Sequence, residues 1–232
     1  MTPTSLPAAN IATWYKDAAA EHSMGDSHAP VWRHMISLMP EADLAGKTVL
    51  DVGCNEGGFL RTLHTLRAFE QGLGVDIAEA SVERANALKG SVPARYLADT
   101  SLEGFDEVFD LAFSHEVIYL IPDIAAHAAA VWNALKPGGV YYAVTGCHTD
   151  NPAWERWKIL IAEKTNTVAQ DRSVTDYAQA FSAAGFRVAA RRFGFDGFLP
   201  FTPGGWLPDF NDSIDYYTRT KIMYRLVKPA VS

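Results

Sequence analysis

Apolar residues between Lys47 and Val144 come in short runs, each followed by a stretch of helical character. Residues 48–52 form a β-branched run that ends in glycines, and runs at 73–77, 94–98, 108–113 and 140–144 repeat the signal. The stretches at 59–69, 79–89 and 122–135 read as helices, and 136–139 as a turn. Strands alternating with helices predict a parallel sheet covered on both faces. The runs are apolar almost throughout, as strands buried on both faces require.

The flanking regions follow different rhythms. Residues 8–39 read as helical, because Ala18, Ala19, Ala20 and Glu21 are strong helix formers. Gly25 and Pro30 are expected to break that run. Trp14, Tyr15 and Trp32 give it an aromatic side, suited either to covering a ligand or to docking on the sheet. Downstream, 152–164 and 174–184 read as helices. Asn151 is the expected N-cap of the first with Pro152 at its first turn, and Gly185 closes the second. Residues 186–193 and 218–227 read as two further strands. The segment between, 194–217, carries Phe195, Phe198, Phe201, Trp206 and Phe210 among Pro200, Pro203 and Pro208. It is expected to be a long loop, too apolar for disorder, that caps a pocket or meets another subunit.

Composition narrows the class. A chain of 232 residues fits one domain, with 1–45 as an N-terminal helical cover, 46–146 as the core and 147–232 as a second half. Apolar residues at 48% and charged residues at 20% exclude a mostly disordered chain. No uninterrupted apolar run is long enough to span a membrane. The opening residues, MTPTSLPAAN, lack a basic segment followed by an apolar one, so no secretory signal is expected. Two cysteines, Cys54 and Cys147, make no disulfide framework and fit a reducing cytoplasm. A net charge of −7 argues against a nucleic-acid partner.

The sharpest feature is the strand–turn–helix at 49–60, VLDVGCNEGGFL. Glycines there let the backbone approach a ligand closely, and the following helix offers free N–H groups. In an open parallel sheet this is where ligands bind. The dinucleotide spacing G-x-G-x-x-G is absent, since Asn55 takes the second glycine position, and no phosphate-loop lysine follows. An NAD-dependent oxidoreductase is therefore disfavoured. Asp76 ends the second strand; an acidic residue there either accepts bonds from ribose hydroxyls or caps the next helix.

With these features the chain resembles the class I S-adenosylmethionine-dependent methyltransferases. VLDVGCNEGG follows that family's first motif, hydrophobic-hydrophobic-D/E-x-G-x-G-x-G, with Asn55 where glycine is usual. Asn tolerates left-handed backbone angles, so the turn survives the change. Phe109-Asp110-Leu111-Ala112-Phe113-Ser114 and Leu135-Lys136-Pro137-Gly138-Gly139-Val140 match the family's fourth-strand motif and the turn before its fifth strand. With the acidic Asp76 that ends the second strand, these make four motifs in the right order, spanning 49–144. The resemblance implies an α/β fold: a Rossmann-like, seven-stranded, mostly parallel sheet with helices on both faces and an antiparallel last strand.

It also implies a site. S-adenosylmethionine would lie against Asp51, Gly53, Cys54, Asn55 and Gly57, with its ribose on Asp76 and its adenine between Ile77 and Asp99-Thr100. Ser114 and Tyr15 complete the expected cofactor set, Tyr15 toward the methionine carboxylate. The acceptor side is expected after the fourth and fifth strands. Glu116, Tyr119 and Trp206 would line it, and His115 and His148 are the candidate bases. His115 titrates near neutrality when unperturbed, yet it serves equally well as a packing residue. Tyr119 suits pocket or core alike. A base is needed only where the acceptor must lose a proton. No metal is expected: Asp150-Asn151 lies too late for the ligands of catechol-type relatives, and two cysteines are too few for structural zinc.

The expected activity is methyl transfer to an O or N atom of a small molecule, with S-adenosylhomocysteine as product. Methylation of RNA or protein would need a basic face, and Arg187, Arg191 and Arg192 are its one hint. Binding of S-adenosylmethionine without catalysis is the reading from another class. A homodimer through 194–217 is the one protein partner expected.

Overall fold

The computed structural model describes residues 10–201, 206–207 and 209–230. Residues 1–9, along with Pro203 and Pro208 of the aromatic segment, lie outside that set, as do the N-terminal expectations placed on them.

Seven strands form one sheet. In chain order they are β1 (Thr48–Val52), β2 (Gln71–Val75), β3 (Ala94–Leu97), β4 (Phe109–His115), β5 (Leu135–Thr145), β6 (Arg187–Arg192) and β7 (Ile222–Val227). Their order across the sheet is β3-β2-β1-β4-β5-β7-β6. β1 to β5 are mutually parallel, and β7 runs antiparallel to both its neighbours. The fold is the expected Rossmann-like sheet with an antiparallel last strand. The order reverses between β1 and β4, which places a crevice at the carboxyl ends of those strands.

Side-chain alternation sorts the core into two layers. Val49, Leu111, Phe113, Val140, Tyr142 and Val144 point to one face, where they meet α1 (Ala18–Ser37), α2 (Gly58–Leu66) and α3 (Glu79–Leu88). Leu50, Ala112, Tyr141 and Ala143 point to the other, where they meet α4 (Ile124–Ala134) and α6 (Val174–Ala183). A smaller cluster of Tyr119, Cys147, Trp154 and Ile161 lies under α5 (Trp154–Lys164). A short helix, α7 (Phe210–Asp215), runs into a π-helical turn at Tyr216–Thr220 before β7.

Four local expectations are corrected. Gly25 and Pro30 do not break the N-terminal helix: α1 is continuous over 20 residues. Val31, Met35 and Ile36 are buried on its inner side, and that burial outweighs one missing backbone hydrogen bond. Asn151 does not cap α5, which begins after Ala153. Its side chain instead accepts from Ala153 N at 2.9 Å and donates to Gly146 O at 2.8 Å, a turn that precedes the helix. The segment 194–217 is not wholly loop, since Asp209 caps α7 through the Asn211 amide. The last strand starts at Ile222 rather than 218, because the π-helical turn occupies the intervening residues.

Candidate functional site

A cleft of about 1790 Å³ opens along the carboxyl ends of β1, β2, β4 and β5. A ligand pocket usually runs to a few hundred to about 1,000 Å³, so the space exceeds what one small ligand needs. One half is built from the turn after β1. Gly53, Asn55 and Gly57 have φ of 75°, 46° and 72°, the left-handed region that favours glycine and tolerates Asn. A Cβ at Gly53 would stand 2.2 Å from a Val117 methyl, so the chain has no room there for another residue. Cys54 is buried and packs against Gly74 of β2.

Two carboxylates meet behind this turn. Asp76 accepts from the backbone amides of Asn55 at 2.8 Å and Ala78 at 2.9 Å, so it also holds the start of α3. Asp51 is buried, and its Oδ2 has no partner among the described residues. Burial, reinforced by the neighbouring Asp76 charge, pushes Asp51 up to about 8. Asp76 is raised as well, mainly by burial. An unpartnered buried carboxylate beside a second acid suits a ligand that brings a cation or N–H donor. Along the same side of the cleft Val52, Ile77 and Leu102 offer apolar surface next to Asp99 and Thr100. Asp99 and Thr100 are exposed.

The N-terminal segment closes this half. Ile11 pairs with Ala78, and Ile11 O accepts from Glu79 N at 2.9 Å. Glu21 of α1 is buried and gathers four donors: the amides of Trp14 and Tyr15, the hydroxyl of Ser81 and the side-chain amide of Asn55. Sequence reasoning missed Glu21, because nothing in a helical run marks one glutamate as buried.

The other half of the cleft is aromatic, with a polar floor. Trp14, Trp206, Trp157 and Tyr216 stack in sequence, with centroids 6.1, 5.4 and 4.9 Å apart. Trp206 Nε1 donates to Tyr15 Oη at 2.7 Å, joining the N-terminal segment to the aromatic segment. Tyr119 lies alongside, nearly buried. At the floor the Lys221 ammonium is 2.9 Å from Glu116 Oε1 and lies over the rings of Phe193, Tyr216 and Tyr217 at 5.1–5.6 Å. Glu116 sits at φ 57° and also accepts from Tyr216 Oη, Thr145 Oγ1 and Gly146 N. Burial alone would raise its pKa, but Lys221 and these donors outweigh it and hold Glu116 below the usual carboxylate range. Lys221 and His28 were not anticipated from sequence. Lys221 stands in a strand-like run and His28 in a helical one, and only the fold carries them to the cleft.

The two candidate bases separate. His115 lies in the cleft, with Nδ1 3.3 Å from Trp32 Nε1 and Nε2 2.9 Å from Lys221 Nζ. Burial, helped by the Lys221 charge, pushes its pKa well down. His148 is a correction: it does not line the cleft but is buried behind it, with Nε2 3.1 Å from Thr220 O. Ser114 is a second correction. Alternation along β4 turns it to the α4 face, where its buried hydroxyl pairs with Tyr141 Oη at 2.7 Å. The other candidates, Asp51, Gly53, Cys54, Asn55, Asp76, Ile77, Asp99, Thr100, Tyr15, Glu116, Tyr119 and Trp206, line the one cleft. Gly57 sits just beneath it, covered by Tyr96. Among the described residues no group of three or more His, Cys, Asp or Glu is placed to hold a metal ion, and no helix is long and apolar enough to cross a membrane.

Comparison with known proteins points the same way. The methyltransferase-domain family matches residues 26–191. A ubiquinone biosynthesis O-methyltransferase of Methylobacterium sp. (strain 4-46) is 32% identical over 134 residues, covering 57% of this chain and 49% of that protein. A trans-aconitate 2-methyltransferase of Deinococcus radiodurans is 29% identical over 130 residues, covering 55% and 47%. The chain thus spans about half the length of the curated relatives it matches. Among solved structures, a chain from the complex of the Haloferax volcanii Trm112 methyltransferase activator with a methyltransferase superposes with a TM-score of 0.78. It is 22% identical and covers 91% of this chain and 95% of its own, a likeness of fold.

Proposed function

The chain belongs to the class I S-adenosylmethionine-dependent methyltransferases, and on that premise we propose that it transfers a methyl group from S-adenosylmethionine to an O or N atom of a small molecule. The observation that carries the reading is the unpartnered Asp51 carboxylate, buried beside Asp76 at the glycine turn in the wall of a cleft with room for a second ligand. S-adenosylmethionine supplies a methyl group already activated on a sulfonium. Asp51 would take its ammonium, Asp76 its ribose hydroxyls and Asp99 its adenine amino group, with Ile77 against the adenine ring. Gly53, Asn55 and Gly57 set the backbone around it.

The protein's remaining task is alignment. Holding two reactants in contact geometry removes much of the barrier to a displacement reaction. The Trp14–Trp206–Trp157–Tyr216 stack offers flat apolar faces to an acceptor, with Tyr119 beside it. Glu116 fixes Lys221 and Tyr216 at the floor. In this reading residues 1–45 act as a cover, 46–146 hold the donor and 147–232 choose the acceptor. Small acceptors are favoured over nucleic acid because the net charge is −7 and the stacked aromatics, rather than a basic face, line the free half.

Two finer expectations accompany this. The reduced cysteines fit a cytoplasmic protein. Exposed Phe198 and Phe201 fit contact with a second copy through 194–217. The reading is tested by incubating the protein with methyl-labelled S-adenosylmethionine and a metabolite library. Label transferred to a small molecule supports it. Binding of S-adenosylhomocysteine with no transfer to any small molecule would leave only a donor-binding protein.

A further inference from the structure

The floor of the acceptor half holds two imidazoles, and they differ in what they have left to bond. A neutral imidazole accepts at one nitrogen and donates at the other. His115 faces two donors, the Lys221 ammonium at 2.9 Å and the Trp32 indole N–H at 3.3 Å. Lys221 is paired with Glu116 and stays a donor, so the shorter contact consumes the accepting nitrogen of His115. His115 therefore takes up no proton without displacing Lys221. It is a positioning residue.

His28 is different. It stands one turn before Trp32 on α1, packs edge-on against Trp32 and His115 with centroids 5.7 and 5.1 Å away, and lines the cleft. Among the described residues neither of its ring nitrogens makes a hydrogen bond, and neither is sealed from the cleft. Trp32 and His115 fix the ring plane while leaving its nitrogens open. Burial, with the Lys221 charge behind it, holds His28 down to about 4, so the ring is neutral and its lone pair is available.

We propose that His28 is the catalytic base of this cleft, and that it serves an acceptor whose methylated atom is a hydroxyl oxygen on a planar ring. This rests on the methyltransferase reading above. The acceptor O–H proton passes to the open His28 nitrogen, giving an imidazolium. The O–H electron pair stays on the oxygen, which uses a lone pair to form the new bond to the donor's methyl carbon while the carbon–sulfur bond breaks. That bond's electron pair returns to sulfur, the neutral thioether S-adenosylhomocysteine leaves, and the imidazolium later gives its proton to water. An ammonium acceptor is disfavoured, because Glu116, the one carboxylate at the floor among the described residues, has both oxygens committed to Lys221, Tyr216, Thr145 and Gly146. The ring plane has a matching surface in the stack that ends at Tyr216, whose hydroxyl is tied to the same Glu116.

The test compares wild type with His28→Asn and His28→Gln on simple phenols and catechols of falling hydroxyl pKa, from catechol to 4-nitrocatechol. Calorimetry with S-adenosylhomocysteine runs alongside. The expected result is a loss of about 10²-fold or more in kcat on catechol, the usual range for a removed general base. The loss should shrink on 4-nitrocatechol, whose proton leaves more readily, with S-adenosylhomocysteine affinity at the wild-type value. Wild-type turnover by both variants, or a loss independent of acceptor acidity, would overturn it. So would a wild type that binds S-adenosylhomocysteine yet methylates no phenol or catechol, which leaves the donor site standing. A wild type that does not bind S-adenosylhomocysteine removes the underlying reading and the proposal with it.

Discussion

The Lys221 ammonium lies 2.9 Å from Glu116 Oε1 at the floor of the cleft, with 2% of the lysine side chain and 16% of the glutamate side chain exposed. Such a pair repays its desolvation only while both partners remain. Glu116→Gln leaves the lysine buried without its counter-charge and should cost about 3–5 kcal/mol of stability. The double change Glu116→Gln with Lys221→Met should recover most of that loss. Urea unfolding of the three proteins measures both. A single variant as stable as wild type would mean that the pair does not hold the floor together.

Asp51 ties stability to pH. Its folded pKa near 8 lies above the ordinary value of 3.8, so the folded chain keeps a proton that the unfolded chain releases. Stability from this group is complete below about 3.8 and falls as pH rises toward 8. Asp51→Asn removes that dependence. The variant should melt increasingly above wild type across the interval, with the difference levelling off beyond pH 8. It should also bind S-adenosylhomocysteine less well, since the amide brings no charge to the ligand's ammonium. Parallel melting curves at every pH would contradict the burial assigned to Asp51.

Asn55 ties the N-terminal segment to the glycine turn through its side-chain bond to Glu21. Glycine suits the left-handed backbone at this position but cannot reach Glu21. Asn55→Gly should therefore keep the turn and loosen the cover, by about 1 kcal/mol for one lost hydrogen bond. Hydrogen exchange at the Trp14 and Tyr15 amides, which donate to the same carboxylate, should quicken. Unchanged exchange there would show that the cover is held by its other contacts alone.

How far the sequence reaches follows from the kind of signal each element leaves. The sheet was legible because both-faces burial turns strands into apolar runs, and strand alternation then forced the two layers. The glycine turn was legible too, because Gly53, Asn55 and Gly57 lie within one short stretch whose left-handed backbone angles demand particular residues, and Asp76 follows the apolar run of the next strand. The aromatic half of the cleft was only partly legible. His115, Glu116 and Trp206 reach the cleft as expected, whereas His148 and Ser114 turn away from it. One residue along a strand reverses a side chain, and periodicity alone did not mark which of two adjacent polar residues faces the cleft. Glu21 and His28 stand on α1 and Lys221 just before β7, and none of the three carries a local motif. Pro30 shows the opposite failure: a strong local rule yielded to burial of the helix face around it.

The central claim, that the glycine turn binds the methyl donor through Asp51 and Asp76, is tested most directly by calorimetric titration with S-adenosylhomocysteine at pH 7. Two buffers of different ionisation enthalpy are used. One-site binding is predicted, with net release of protons as the ligand's ammonium meets the protonated Asp51. Asp76→Ala should weaken that binding by roughly 1–3 kcal/mol, the cost of losing bonds to a charged group. Absence of binding, or an Asp76→Ala variant that binds as tightly as wild type, would contradict the account.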